Sequence, residues 1–369
     1  MSVYEQAQDF ARAHILPTSA ECDATASFPD EAFRQMAAHG WFALLIPEEL
    51  GGKGGGLPEH AEACLAFAEA NPSAALCYMM HNVALRCALT HGSEAQKRRI
   101  CKDVLDGKFM ALAYSEFGSG THFYNPQIEA AFGPEGVTIN GAKSMVTSAG
   151  KASTYMIITR SEEEGKLDNW ALPLATPGVS FQSSAWNGLG MRSNISCPML
   201  LDDVKLGFDA RIGAAGSGQD QLLGVVSIFF VTGLAAIYSG VCSTLGVLAA
   251  QHAKSRTYPD GSALSHIETV QNHLAAIYVR AAAARSLTLE AARAEAEALP
   301  KILAARVFSA ESAIECGRLA MRVGGGKAYN KALPIERFLR DAYAGQVMAP
   351  GVDVLNVWLG KILTDQPIP

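Results

Sequence analysis

Between Leu222 and Leu248 the chain carries no charged residue; Leu, Val, Ile, Phe and Ala are interrupted only by Gly, Ser, Thr, Tyr and Cys. A helix that is apolar all round has no face to turn to water, so it is enclosed by lipid or by other helices. The glycines and hydroxyl residues spread along this run favour enclosure by protein. The run reads as the core helix of a packed domain, and no membrane span is expected.

The rest of the sequence supplies partners for that helix. From about 218 onward the pattern is one of long helices rich in Ala, Leu and Val. Residues 1–107 are also helical in character. Phe10, Ala11, His14 and Ile15 recur at helical spacing, Pro29-Asp30-Glu31 is a start signal, and 61–69 is apolar-periodic. Between these blocks the period changes. Residues 110–115, 127–132, 137–140 and 155–159 are short β-type runs, and Asn140-Gly141 is a hairpin-turn signal. The order predicts an α+β chain with helical 1–107, β-rich 108–212 and helical 213–369. The glycines of 51–56 predict a loop.

Composition narrows the functions. The 369 residues are 49% hydrophobic and 18% charged, enough apolar content for a sizeable core. A net charge of −6 argues against a nucleic-acid partner. Eight cysteines stand without a C-x-x-C pair and mostly in apolar surroundings, which predicts reduced core residues and no metal site. Met1-Ser2-Val3-Tyr4-Glu5-Gln6 shows no basic segment leading into an apolar one, so a cytoplasmic protein is expected.

Several segments, in order, carry a family likeness. They are Trp41-Phe42-Ala43-Leu44-Leu45-Ile46-Pro47-Glu48-Glu49-Leu50-Gly51-Gly52, then His91-Gly92-Ser93-Glu94-Ala95-Gln96-Lys97. Val323-Gly324-Gly325-Gly326-Lys327-Ala328-Tyr329, Pro334-Ile335-Glu336-Arg337 and Arg340-Asp341-Ala342 follow the β-rich block. Taken together they resemble the acyl-CoA dehydrogenase superfamily over nearly the whole chain. The resemblance implies an N-terminal helical domain, a central β-barrel domain and a C-terminal four-helix bundle. It also implies noncovalent FAD, an acyl-CoA or acyl-carrier thioester substrate, and a homodimer or homotetramer whose subunits share each flavin site.

The same likeness nominates cofactor residues. Tyr114-Ser115-Glu116-Phe117-Gly118-Ser119 is similar to the family's T-E-P-x-x-G-S-D loop, which places Tyr114, Ser115 and Ser119 beside the flavin. A plain Gly-rich turn is the alternative. Lys143-Ser144-Met145-Val146-Thr147-Ser148 is similar to the K-x-W-I-T-N strand, which directs Thr147 toward flavin N5 with Ser148 beside it. Met145 replaces the Trp that usually covers the ring, either as a flexible cover or as ordinary core. Arg256 matches an Arg that reaches the FAD pyrophosphate of a neighbouring subunit, where a guanidinium pairs with two phosphate oxygens. Gly324, Gly325 and Gly326 resemble glycines whose backbone approaches the same ADP moiety.

One departure governs the chemistry. In the family the segment after R-D-A usually carries a Glu that takes the α-proton of the thioester; Ala349 stands at that position. Other members place the Glu on the first long C-terminal helix. Alignment on Gly240 puts Phe230 there and Val231 at the Arg that follows. Phe230, Val231 and Ala349 are therefore read as substrate-lining, and removal of a weakly acidic α-proton lacks its carboxylate. Glu116, His122 and Asp353 are the candidate replacements. Each has a plainer reading, as a backbone acceptor, a satisfied loop residue and a capping or solvated acid respectively. The expectation is flavin-dependent oxygenation using O2. Desaturation by a non-standard base, with electrons passed to an electron-transfer flavoprotein, is the alternative; a binding paralogue without turnover is another.

Overall fold

Helix starts in the first hundred residues follow local capping chemistry. The computed structural model describes residues 1–120, 122–296 and 298–368. It begins with α1 (Val3–Phe10), α2 (Ser19–Thr25), α3 (Asp30–Ala38), α4 (Leu57–Ala70), α5 (Pro72–His91) and α6 (Glu94–Leu105). Ser2 with Glu5 and Ser93 with Gln96 form capping boxes on α1 and α6. Asn71 accepts from the N–H groups of Ser73 and Ala74, with Pro72 in the first turn of α5. The 51–56 glycines do form a loop. It folds back on the chain before it, with Gly54 N donating to Ile46 O at 2.9 Å and Gly55 N to Leu44 O at 2.8 Å.

The central region holds β1 (Met110–Ala113), β2 (Ala130–Phe132), β3 (Gly136–Val146), β4 (Thr154–Arg160), β5 (Leu167–Pro173), β6 (Val179–Phe181), β7 (Cys197–Gly207) and β8 (Arg211–Ile212). The expected barrel is built as two four-stranded sheets, ordered β1-β4-β5-β8 and β2-β3-β7-β6. Only β1 and β4 pair in parallel among these strands. The sheets face each other across rings such as Tyr155 and Phe181, 5.5 Å apart, over the fully buried Trp170.

Asn140-Gly141 is not a hairpin turn. It lies inside the single strand β3, at a register shift against β7. Gly141 takes φ 147°, and a Cβ there would stand 2.8 Å from the Ile128 side chain. Asn140 exchanges two hydrogen bonds with Asp203, Nδ2 to Oδ1 at 2.9 Å and Asp203 N to Oδ1 at 2.7 Å. The turn-like composition thus serves a β-bulge, which bends the strand without reversing it.

The C-terminal region holds α7 (Gly218–Gln221), a π-turn at Leu222–Val226, α8 (Ser227–Ser255), α9 (Glu268–Ala292), α10 (Ala298–Tyr329), α11 (Ile335–Val347) and α12 (Val352–Ile362). The charge-free run is α8 with the π-turn before it. The helical stretch Gly218–Ser255 is long and apolar enough to cross a membrane, yet 78% of its most apolar part is buried inside the fold. The helices α4, α5, α9, α10 and α11 surround α8. Its glycines permit close crossings: a Cβ on Gly240 would lie 2.5 Å from Leu65 O and 2.9 Å from Ala68 Cβ on α4. All eight cysteines are free and buried. Gly240→Ala is therefore expected to push α4 and α8 apart and destabilise the chain by about 1–3 kcal/mol. Chemical denaturation checks this; an unchanged midpoint would show that the crossing has slack.

Candidate functional site

The motif residues meet at a cavity of about 490 Å³ between the end of β3, α5, α8 and the α11–α12 connection. Ser115, Met145, Thr147, Phe230 and Ala349 line it, together with Met80, Trp186, Asn194 and Ser196. A deep recess of about 40 Å³ shares Met80, Ser115, Met145, Phe230 and Ala349, and is closed by Leu112, Tyr114, Phe123 and Val226. A wider surface cleft of about 840 Å³ runs along 124–132 and 160–167, and none of the candidate residues lines it.

The polar wall is fixed from behind. Thr147 is buried and its hydroxyl lies 2.9 Å from that of Ser196. Ser148 N donates to Asn194 O at 2.9 Å, and Ser196 N to Asn194 Oδ1 at 3.0 Å. Ser148, Met191 and Ile195 all take left-handed conformations, with φ of 58°, 50° and 42°. Such residues are held only where surrounding contacts over-determine them, as they often are at functional sites. Part of that restraint comes from Asp341, which accepts from Met191 N at 2.6 Å. Arg340 beside it holds both carboxylate oxygens of Asp23, at 2.6 and 3.1 Å, and Leu189 O at 3.0 Å. The R-D-A segment thus clamps the 186–196 loop between α2 and α11.

Glu116 reaches the cavity but is not free to act as a base. Its Oε1 accepts from Lys143 Nζ at 2.6 Å, and its Oε2 from Gln127 N at 2.6 Å and Ile128 N at 3.2 Å. Lys143 Nζ also donates to Ile158 O at 2.6 Å, and burial pushes its ammonium below its ordinary range, with Glu116 opposing that shift. Ser119 closes the same loop on itself, its hydroxyl 3.4 Å from both Glu116 N and O. The other two candidate bases lie elsewhere. His122 is exposed and pairs its Nδ1 with the Tyr124 hydroxyl at 2.6 Å. Asp353 is exposed in the first turn of α12. Val231 is packed in the core of α8 and does not line the cavity.

The other cofactor candidates divide in two. Tyr114 presents its ring to the recess, while its hydroxyl donates away from it to Asn169 Oδ1 at 2.6 Å. Arg256 is exposed at the C-terminal end of α8, its guanidinium 5.6 Å from the Tyr258 ring centre. Gly325 breaks α10 with φ 53° and ψ −139°, and Gly324 and Gly326 flank it. Burial, and then the charges of Lys327 and Arg256, lower the His252 pKa, so these cations gather near the break. This cationic group does not line the cavity of its own chain.

The family descriptions "Acyl-CoA dehydrogenase, N-terminal domain", "middle domain" and "C-terminal domain" match residues 2–108, 111–204 and 232–353. The chain belongs to the acyl-CoA dehydrogenase superfamily. Members are flavin-dependent oxidoreductases, and this chain is one of them. The probable acyl-CoA dehydrogenase YngJ of Bacillus subtilis (strain 168) is 27% identical over 350 residues, spanning 92% of this chain and 91% of its own. Butyryl-CoA dehydrogenase from Megasphaera elsdenii superposes with a TM-score of 0.92 at 22% identity, over 98% of this chain and 97% of its own. A structure described as the FAD complex of PigA superposes with a TM-score of 0.90 at 20% identity, over 98% of this chain and 96% of its own.

The cavity suits the ring system of a flavin on its own terms. It has the volume of a small-molecule site, apolar faces from Met80, Met145 and Trp186, and one wall of hydroxyls and amide groups. Ser148, next to Thr147, is fully buried behind that wall and does not line the cavity. The sequence motifs did not reveal Met80, Trp186, Asn194 or Ser196. For Asn194 and Ser196 the one sequence signal is the segment 187–196 between strands, with its Gly, Asn and Ser residues.

Asp341 supplies a pH test of the clamp. Burial, and next Asp23, raise its pKa from 3.8 to about 7, against the bond from Met191 N and the charges of Arg337 and Arg340. The native state then binds a proton that the unfolded chain has lost, so stability falls as pH rises from about 4 to 7. Asp341→Asn keeps an acceptor for Met191 N and is expected to flatten this slope in Tm measured against pH. An unchanged slope would assign it to other groups.

Proposed function

We propose that this chain uses FAD to oxygenate an acyl thioester, and does not desaturate it through a carboxylate base. One observation carries the reading. Among the described residues lining the cavity Glu116 is the only carboxylate, and both its oxygens are engaged. Ala349 and Phe230 stand on the wall, at the two positions where the motif resemblance would place a Glu. Abstraction of an α-proton needs a positioned acceptor, and neither side chain provides one.

Ser115, Thr147 and Ser196 hold the flavin ring, and Met145 covers it. Arg256 and the backbone at Gly324–Gly326 serve the diphosphate of a neighbouring subunit, which makes the working form a homodimer or homotetramer. When bound, and reduced by a two-electron donor such as a reduced nicotinamide, the flavin would supply reactivity toward dioxygen, one oxygen atom going to the substrate and the other to water. The chain's own residues do the rest. Phe230, Phe123, Met80 and Ala349 exclude water from the reacting face, which strengthens every polar contact inside. The paired hydroxyls of Thr147 and Ser196 hold protons on the opposite wall. The thioester arm is that of coenzyme A or a carrier protein.

Three outcomes follow. Arg256→Ala should be purified with most of its FAD lost, because a charged contact to phosphate is among the stronger hydrogen bonds. Flavin absorbance together with solution mass checks this, and a monomer with full FAD would overturn the shared site. Turnover under isotopically labelled dioxygen should place label in the product. Clean formation of an unlabelled enoyl thioester, with electrons delivered to an artificial acceptor, would instead establish desaturation. Ala349→Glu should restore enoyl formation by about 10²-fold, the usual contribution of a positioned base.

A further inference from the structure

The recess behind Ala349 has an aromatic end wall. Phe230 on α8 and Phe123 on the loop after β1 are both buried, their ring centres 6.5 Å apart and tilted by 33°. Phe123 does not stand alone. Its ring meets Tyr124 edge-on at 5.9 Å, and Tyr124 meets Trp358 of α12 at 5.8 Å. His122 Nδ1 lies 2.6 Å from the Tyr124 hydroxyl. The stack runs from the core helix α8 across the loop to α12, with each ring braced by the next. Met80, Leu112 and Val226 close the remaining sides.

The free space is small. The recess holds about 40 Å³, against about 490 Å³ in the outer cavity. A space of that size holds only a few small atoms, since about 10–15 Å³ of such free space takes one water. Ala349 and Phe230 line both spaces and therefore mark their junction. A group reacting at that junction has the outer cavity on one side and the aromatic wall on the other.

We infer that Phe230, backed by Phe123, sets the size of the acyl group this enzyme accepts, limiting it to a compact, short-chain acyl thioester. The inference rests on the thioester reading above. One residue then has two effects. Phe230 brings no charge of the kind a carboxylate at this position would bring, and its ring closes the recess against a longer chain. A rigid stopper discriminates more sharply than a flexible one, because repacking a braced stack forces side chains off their rotamers. His122 thereby acquires a role as a brace for Tyr124 in the wall.

The test measures binding and does not depend on turnover. FAD-loaded enzyme is titrated anaerobically by calorimetry with acetyl-, butyryl- and octanoyl-pantetheine, which carry the arm common to coenzyme A and carrier proteins. Butyryl-pantetheine is expected to bind at least about 10-fold more tightly than octanoyl-pantetheine, the scale on which a hydrophobic pocket rejects extra methylenes. Phe230→Ala should erase that ratio. Phe230→Leu, a milder change that keeps the core filled, and Phe123→Leu on the facing wall should each reduce it in the same direction. Equal binding of butyryl and octanoyl thioesters by the unaltered enzyme overturns the inference. So does a ratio that survives both leucine variants. Failure of all three thioesters to bind while FAD stays in place removes the thioester reading itself, and this inference with it.

Discussion

The enclosure of α8 is the constraint on which the rest of the structure depends. Its sides are apolar nearly all round, so every direction needs a protein neighbour. The N-terminal helices α4 and α5 cover one side and α9, α10 and α11 the others. This is why a chain with a β-rich block in its middle does not fall into independent units. The two helical blocks are held together through one shared helix, with the sheets packed alongside. The cavity forms where that enclosure ends, at the start of α8, so that helix places Phe230 on the cavity wall.

The pair Lys143–Glu116 holds the carboxylate beside the cavity in place. Both side chains are essentially excluded from solvent, at 0% and 3% exposure. A buried ion pair gains little net stability, because desolvation offsets most of its attraction, but breaking it leaves an uncompensated charge. Glu116 is therefore locked by its surroundings. It ties the 115–120 loop to β3 through Lys143 and to the following loop through the amides of Gln127 and Ile128. Its conspicuous position in a flavin-loop motif reflects the shaping of that loop.

The parts legible in the sequence were those written in local or periodic form. The block order, the core helix and the loop at 51–56 follow from period and glycine content. The seats of Ser115, Met145, Thr147, Phe230 and Ala349 followed from motif alignment, and all five line one cavity. Asn140-Gly141 misled because turn chemistry and bulge chemistry share residues; the deciding partner, Asp203, is distant in sequence. Asp353 and His122 misled for another reason. Being near a motif in sequence does not place a side chain at the cavity, and neither lines it. Asn194 and Ser196 were hidden because they come from an irregular loop. Its geometry is set by Asp341 through Met191 N, a contact across 150 residues that no local pattern encodes.

The loss of the base and the narrowness of the recess have one physical origin. A carboxylate that works beside a flavin needs a partly hydrated or hydrogen-bonded seat, since burial of an unpaired charge is strongly unfavourable. Ala349 carries no charge, and the recess beside it is mostly apolar. Phe230 lines that same space with a ring, and among the described residues lining the recess only Ser115 and Tyr114, whose hydroxyl turns outward, carry polar side chains. A charge introduced into such a wall has to be desolvated unless it reaches the outer cavity. A Glu at 349 is workable because Ala349 is only partly buried and opens to the outer cavity, whereas a Glu at 230 would stand on a side chain now 9% exposed, against Phe123. The two positions are thus unequal. In the proposed reading, position 349 governs the chemistry of the site and position 230 the shape of what enters it.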